Sequence, residues 1–266
     1  MIGQKRLLLN IDKLIADDTF PRFSIIQGES GSERNLMAQY VADKMQAVCV
    51  NAPDCKVETI RDIIVNSYKV SALTVYNIQD ADNMSLQAKN ALLKVTEEPP
   101  NKSFFIMTLD SELNTLATLR SRAYVFDMQL YSSDELESYC RSEHDCFYDL
   151  FYAMANTPGD IDLLISYDVN KFYAFMEKVV DNIATASGSN ALKIAQSVKL
   201  KTEGDGYDLK MFWRMFHLIC NQRHFYIGQR ITSKYLAQLR IKSINKAMLF
   251  DSWLFEIRQE WSDECR

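Results

Sequence analysis

The chain has 266 residues, of which 47% are hydrophobic and 24% are charged, and its formal net charge at pH 7 is −5. This is an ordinary globular composition with enough apolar residues to build a core, and the length allows about two or three domains. The acidic balance argues against strong DNA binding by the chain alone, because such binding needs many cations. The chain has no apolar run long enough to span a bilayer and no signal-peptide pattern, which predicts a cytoplasmic protein without a membrane segment.

Six cysteines are spread along the chain, and none forms a C-x-x-C pair. The three histidines are not at ligand spacing with them, so no zinc site is predicted. We expect reduced thiols in apolar surroundings. They are Cys49, Cys55, Cys140, Cys146, Cys220 and Cys265.

The N-terminal segment predicts a helix, a strand and a loop in that order. Apolar residues recur at helical spacing within residues 1–18, and Phe23–Gln27 is typical of a short strand. Residues 28–35 then occupy the place of a phosphate-binding loop, whose pattern is G-x-x-x-x-G-K-[ST] between a strand and a helix. Residues 36–45 continue as the helix, and we expect Leu36, Tyr40 and Val41 to face the sheet.

The loop retains Gly28 and Gly31 but lacks most of the phosphate chemistry. Glu33 stands where the second glycine of the pattern belongs, and its carboxylate would repel phosphate. Arg34 replaces the lysine, and Asn35 replaces the hydroxyl residue that holds magnesium. We interpret the loop as a structural turn left from a nucleotide site, with residual nucleotide binding as the alternative.

The middle of the chain predicts strand, helix and strand. The predicted strands are residues 73–78 and Ser103–Thr108, the second apolar enough to be covered on both faces as in a parallel sheet. The helix between them runs from about Ser85 to Glu97, where Pro99 and Pro100 stop it. Its residues Leu86, Asn90, Leu93 and Glu97 fall on one face, other apolar residues surround them, and we expect much of the helix to be buried.

Three phrases in this region carry a family resemblance. They are Asn-Ala-Leu-Leu-Lys at residues 90–94, Glu-Glu-Pro-Pro at 97–100 and Leu-Ala-Thr-Leu-Arg-Ser-Arg at 116–122. In this order the chain resembles the bacterial clamp-loader branch of the AAA+ superfamily, and within it the delta-prime subunits of DNA polymerase III. The resemblance implies an α/β P-loop domain with a mostly parallel sheet, a small helical lid and an all-α collar. The corresponding residues are 1–130, 131–167 and 168–266.

Further ATPase positions implied by the resemblance are also altered. The strand that should end in a metal-holding acid and a water-orienting acid ends in Gln79 and Asp80. Thr108 takes the place of the residue that senses the γ-phosphate, and about Gly159 the lid lacks the arginine that senses nucleotide. The resemblance therefore implies a subunit that does not hydrolyse ATP, with no cofactor of its own.

The pair Ser121-Arg122 matches the family's Ser-Arg-Cys motif, with Ala123 in place of the cysteine. In the family this arginine projects into the nucleotide site of the neighbouring subunit, where it stabilises the anionic transition state. Arg122 is thus predicted to act in trans as an arginine finger, with Ser121 as its motif partner. The alternative is an arginine at a helix end that pairs with a carboxylate.

Two segments flank the central region. Residues 57–64 resemble a family helix that lies near the DNA channel, but Arg61 and Lys69 give thin support for DNA contact, and a solvated helix face is the preferred interpretation. Residues 132–135 form a capping box, which predicts the start of the next helix. The remainder is predicted to be helical, with one long helix over residues 209–229 and a further stretch over residues 231–255.

These features predict a non-hydrolysing subunit that acts as a stator in the heteropentameric ring that loads the sliding clamp. The implied partners are gamma/tau-type ATPase subunits, a clamp-opening delta-type subunit, the sliding clamp indirectly, and primed DNA through the assembled complex. The same sequence features imply a cytoplasmic protein that is associated with the nucleoid at replication forks. Two alternatives remain: an active AAA+ ATPase in which Arg34 replaces lysine, and a clamp-loader relative encoded by a phage or plasmid.

Overall fold

The computed structural model describes residues 3–144, 154–185, 207–239 and 245–264. It divides the chain into two compact units, residues 1–147 with 156–159, and residues 148–155 with 160–266. Cys146, Cys265 and parts of the predicted lid and collar lie outside the described residues. Among the residues described, no helix has both the length and the apolar character needed to cross a membrane.

The first unit is built on a five-stranded sheet in which all pairings are parallel and the order is β2-β3-β4-β1-β5. A parallel sheet requires a crossover between successive strands, and helices supply most of these crossovers. The predicted parallel α/β domain is confirmed. The strands are β1 (Phe23–Gln27), β2 (Val48–Asn51), β3 (Thr74–Ile78), β4 (Ser103–Leu109) and β5 (Tyr124–Asp127).

Helices of the first unit join these strands, and both faces of the sheet are covered. Alternate residues of β4 point to opposite faces: Phe105 and Met107 pack in one apolar cluster, and Phe104 and Ile106 pack in the other. All seven residues of β4 are buried, as predicted for a central strand. The helices are α1 (Lys5–Ala16), α2 (Arg34–Lys44), α3 (Val57–Ser67), α4 (Leu86–Glu97), α5 (Ala117–Arg120) and α6 (Ser133–His144).

The start of α6 has the predicted capping box. The Ser132 amide donates to Glu135 Oε2 at 2.9 Å, and the Glu135 amide donates to Ser132 Oγ at 3.2 Å. These reciprocal bonds satisfy two backbone donors that a helix start otherwise leaves without partners. The helix therefore begins where the sequence placed it.

The second unit, as far as it is described, consists of helices. Trp213 and Trp253 are fully buried, and the Trp253 ring meets Phe216 edge-on with centroids 4.9 Å apart. Aromatic side chains of this size supply much of the apolar area in the core. The helices are α7 (Pro158–Ile165, which begins in the first unit), α8 (Val169–Thr185), α9 (Leu209–Gln222), α10 (Tyr226–Gln238) and α11 (Lys246–Glu264).

One packing prediction for the first unit was wrong in part. Val41 is buried and Tyr40 packs against the same apolar cluster, as predicted, but Leu36 is half exposed, and Met37 and Ala38 are buried beside Val41. In α4, Leu86 is 62% exposed and Ala88, Leu92 and Val95 are buried. Ala88, Leu92 and Val95 belong to the apolar cluster that also contains Phe105 and Met107 of β4, so α4 is buried on that face and exposed at Leu86.

The predicted long helix over residues 209–229 was also wrong. It is two helices, because His224 adopts a left-handed backbone conformation with φ 59°. The Phe225 amide then donates to the Cys220 carbonyl at 2.8 Å, which satisfies one of the last carbonyls of α9. The chain reverses there, and α10 packs against α9.

Candidate functional site

The loop after β1 meets the ends of two other strands at one edge of the sheet. Asp80 lies just after β3, Asp110 lies directly after β4, and Arg34 is the first residue of α2, directly after the loop. In parallel sheets ligands bind at this carboxyl edge, so the edge is where a nucleotide site is expected. The structure therefore brings the predicted loop residues together with Asp80.

The Arg34 guanidinium is held within this group. Its Nη1 donates to the Gly28 carbonyl at 2.7 Å and to Asp110 Oδ1 at 2.6 Å, and its Nη2 lies 3.4 Å from Asp80 Oδ1. The Arg34 side chain is only 7% exposed. Its positive charge therefore faces two carboxylates and the carbonyl of the first loop residue.

Asn35 and Thr108 form a second link across the same edge. The Thr108 hydroxyl donates to Asn35 Oδ1 at 2.9 Å and accepts from the Asp80 amide at 3.3 Å. Asn35, at the magnesium position of the pattern, and Thr108, the sensor-like residue, are therefore hydrogen-bonded to each other. The sequence predicted both positions and did not predict this bond.

Gln79 is directed away from the loop. Its Nε2 donates to Asn51 Oδ1 at 3.0 Å, at the end of β2, and its carbonyl accepts from Cys55 Sγ at 2.9 Å. Gln79 and Asp80 are adjacent in sequence, and their side chains lie in different hydrogen-bonding groups. The described residues contain no cluster of three or more His, Cys, Asp or Glu residues suited to a metal ion.

The segment Asn156–Gly159 lies on the loop. The Gly159 amide donates to the Gly31 carbonyl at 3.0 Å, and the Thr157 hydroxyl contacts the Ser30 carbonyl at 3.3 Å. A Cβ on Gly159 would lie 2.6 Å from the Gly31 Cα, which is too close for any side chain. Gly159 is at about the position where relatives have an arginine that senses nucleotide, and here it is in backbone contact with the loop.

The side chains at this edge do not fit a nucleotide triphosphate. A phosphate-binding loop offers an uncompensated cation and backbone amides, whereas here the cation faces Asp80 and Asp110. Glu33 adds a carboxylate at the glycine position of the pattern. A polyphosphate in this loop would meet an arginine that is already paired with two acids.

Arg122 lies elsewhere on the first unit, just beyond α5, and its side chain is 32% exposed. Its Nη1 donates to the Thr118 carbonyl at 2.5 Å, and its Nη2 pairs with Glu97 Oε1 at the end of α4. Ser121 is exposed, and its hydroxyl donates to the Thr118 carbonyl at 3.2 Å. In the single chain Arg122 thus makes the carboxylate pair that the sequence offered as the alternative to an arginine finger.

Sequence reasoning missed Asp110 and Glu97 as partners of the two arginines. Asp110 follows a predicted strand, so its position at the carboxyl edge was a usable signal. Glu97 belonged to a quoted phrase, but its pairing depends on how α4 packs beside α5, which the sequence does not encode locally.

Comparison with known proteins agrees with the first-unit motifs. Residues 51–132 match the family described as DNA polymerase III, delta subunit. The DNA polymerase III subunit delta′ of Haemophilus influenzae is 29% identical over 106 residues, or 39% of this chain and 32% of that protein. The delta′ subunit of Yersinia pestis is 37% identical over 71 residues, or 26% of this chain and 21% of that protein. The matches thus span about a third or less of these relatives.

Solved structures agree with the fold. A DNA polymerase III gamma subunit-related protein from Thermotoga maritima aligns over 96% of this chain and 99% of its own, with TM-score 0.54 and 13% identity. The RuvB branch migration motor of Thermotoga maritima aligns over 79% of this chain and 87% of its own, with TM-score 0.51 and 17% identity. The sequence matches, which cover less than half of this chain, show that its first unit is similar to DNA polymerase III delta-type subunits, and the solved structures show a shared fold.

Proposed function

We propose that this chain is a delta-prime-like clamp-loader subunit that does not hydrolyse ATP and supplies Arg122 to the ATP site of a neighbouring subunit. The observation that carries the proposal is the contrast between two arginines. Arg34, at the chain's own loop, is buried against carboxylates, whereas Arg122 is at the surface. A chain with this contrast has little phosphate chemistry at its own loop and a cation available to another subunit.

The environment of Arg34 supports the first half of this proposal. To engage a bound phosphate, the guanidinium would have to leave Asp110 and the Gly28 carbonyl. Removing one partner from a largely buried pair leaves an uncompensated charge, which is unfavourable by several kcal/mol where burial is complete. A nucleotide would therefore have to overcome this loss as well as the nearby acids.

The environment of Arg122 supports the second half. Its pair with Glu97 is accessible to solvent, since Glu97 is 50% exposed. Exposed pairs of this kind contribute about 0–1 kcal/mol, so the arginine can change partner at small cost. A phosphoryl-transfer transition state spreads negative charge over its equatorial oxygens and is stabilised by such an arginine.

The proposed assembly is the ring predicted from the sequence. Its ATPase members are gamma/tau-type subunits, and a delta-type subunit opens the sliding clamp. The chain would act as a comparatively rigid stator in the cytoplasm, and primed DNA would be contacted by the assembled ring. The relatives named as DNA polymerase III subunits support this choice of partners.

Reconstitution with an ATPase subunit tests the role of Arg122. Arg122→Ala should reduce ATP turnover at the facing site by about 10³-fold, the loss associated with an arginine finger. Arg120→Ala, a half-buried arginine in the same phrase, is the matched control and should leave turnover nearly unchanged. Equal turnover with Arg122→Ala and the unmodified chain would overturn the proposed role.

The isolated chain tests the alternative of an active ATPase. The proposal expects no ATP turnover by the isolated chain, whereas the alternative expects turnover that Arg34→Ala abolishes. Affinity capture of the tagged chain from its native lysate then identifies the assembly. Recovery of the loader ATPase and delta-type subunits supports the proposal, and recovery of the chain alone contradicts it. Subunits encoded by a phage or plasmid would instead support that alternative origin.

A further inference from the structure

We propose that Glu97 holds the Arg122 guanidinium in the unengaged subunit and releases it to the nucleotide of the neighbour, so that Glu97 sets how readily the arginine engages. This inference rests on the proposed function of Arg122. Glu97 is then a positioning residue, because it acts through Arg122 and does not itself contact the nucleotide.

The geometry gives Arg122 two anchors of different kinds. One is the Thr118 carbonyl, 2.5 Å from Nη1, which belongs to the backbone of α5. The other is the Glu97 carboxylate, which pairs with Nη2 from the last residue of α4. The carbonyl is fixed by the helix, whereas the carboxylate is on a side chain that can rotate away.

Solvent access makes the second anchor reversible. The exposed fractions of the Arg122 and Glu97 side chains are 32% and 50%, so water can replace either partner. Exposed ion pairs change an equilibrium by about fivefold at most. The pair is thus strong enough to bias the position of the arginine and too weak to prevent transfer to a polyanion.

The competing ligand favours transfer. A guanidinium binds phosphate oxygens through several N–H donors in a fixed fork, and the terminal phosphates of ATP carry more negative charge than one carboxylate. Transfer exchanges one hydrogen-bonded anion for another, and no covalent bond changes. Without the Glu97 carboxylate, Arg122 is therefore expected to engage the nucleotide of the neighbour more readily.

The test is Glu97→Gln in the loader reconstituted with its ATPase subunit. We expect kcat/KM for ATP at the facing site to rise by about 1.5- to 5-fold, the range for loss of an exposed pair. Glu98→Gln, the adjacent exposed glutamate, is the matched control and should leave kcat/KM unchanged. An unchanged or lower kcat/KM with Glu97→Gln would overturn the inference.

A double-mutant cycle shows whether the effect passes through Arg122. In the Arg122→Ala background, Glu97→Gln should have no effect if Glu97 acts by holding the arginine. A similar rise in that background would mean that the carboxylate repels phosphate directly, and would overturn the inference. Because an exposed pair contributes about 0–1 kcal/mol, Glu97→Gln should lower the thermal unfolding midpoint by no more than about 4 °C, and a larger fall would indicate a structural effect.

The same cycle separates this inference from the proposed function. If Arg122→Ala alone does not change turnover, the proposed function has failed. If Arg122→Ala lowers turnover as expected and Glu97→Gln does not raise it, the proposed function stands and the holding role of Glu97 has failed.

Discussion

Two arginines of the first unit differ in what surrounds their charge. Arg34 is 7% exposed and contacts Asp110 at 2.6 Å, while Arg122 and its partner Glu97 are both accessible to water. The sequence predicted the position of each arginine but not the partner of either. Partners depend on which strand ends and helix ends become neighbours, and a local pattern does not contain that information.

The Arg34 contacts lead to a prediction for stability. Arg34→Ala should lower the free energy of unfolding by about 1–3 kcal/mol, because it removes the hydrogen bonds that Arg34 donates to Asp110 and to the Gly28 carbonyl. Urea unfolding measures the change. Arg61→Ala, an exposed arginine on α3, is the control and should change stability by less than about 0.5 kcal/mol. Equal stabilities would show that Arg34 contributes no net stability.

Element boundaries were predicted well where a local signal marks them. The capping box fixed the start of α6, and Pro99 and Pro100 accompany the end of α4. Element faces were predicted less well, as the half-exposed Leu36 shows. A helix with apolar residues on both faces can be packed from either side, and only the neighbouring sheet selects one.

The start of α7 depends on close backbone contact with the loop. Gly159→Ala should lower the free energy of unfolding by about 1–3 kcal/mol, because its Cβ would lie 2.6 Å from the Gly31 Cα. The hydrogen bond between the Gly159 amide and the Gly31 carbonyl should weaken, and hydrogen exchange at this amide should accelerate. Unchanged exchange would contradict the contact.

A buried ion group ties α7 to α9 within the second unit. Asp160 is 6% exposed and accepts from Lys210 Nζ at 2.9 Å and from Arg214 Nη1 at 2.6 Å. Burial by itself raises the pKa of Asp160, but the charges and hydrogen bonds of Lys210 and Arg214 outweigh it, and the pKa lies below 3.8. The carboxylate therefore stabilises the fold in its ionised form.

The sign of this shift fixes a pH dependence. Because the folded pKa lies below the unfolded value of 3.8, the stabilisation by Asp160 is present above about pH 3.8 and is lost as the pH falls through the folded pKa. Asp160→Asn should lower the free energy of unfolding at pH 7 by about 3–5 kcal/mol, because it removes the buried negative charge that pairs with Lys210 and Arg214. Exposed Asp251→Asn on α11 is the control, and a loss of similar size there would contradict the assignment.

At the scale of the whole molecule, the fold class and the order of the elements were predictable, because the hydrophobic pattern and the quoted phrases extend along the first unit. The three-domain division stays a prediction, since the described residues form two compact units. The break between α9 and α10 was not predicted. Residues 221–224 are all polar, but they include no glycine or proline, and the reversal depends on the left-handed backbone of His224.

The net charge of −5 leads to a prediction for DNA binding. The isolated chain should show no saturable binding to primed DNA at about 150 mM salt, because it can release few condensed counterions. Fluorescence anisotropy with labelled primed DNA measures this, and the reconstituted loader is the positive control. Tight binding by the isolated chain would show that a local basic surface outweighs the overall charge.

Glu33 shows what the loop has kept. Its backbone is left-handed, with φ 63°, at the position where the phosphate-loop pattern has glycine. Such a conformation costs about 1–2 kcal/mol for a residue with a side chain, so this geometry persists without the residue that favours it. At this position the loop therefore departs from the phosphate-loop pattern in its side chain, while the backbone keeps a conformation that glycine adopts readily. Glu33→Gly, Arg34→Lys and Asn35→Thr would restore the sequence pattern, and the first of these changes would need no new backbone conformation at residue 33.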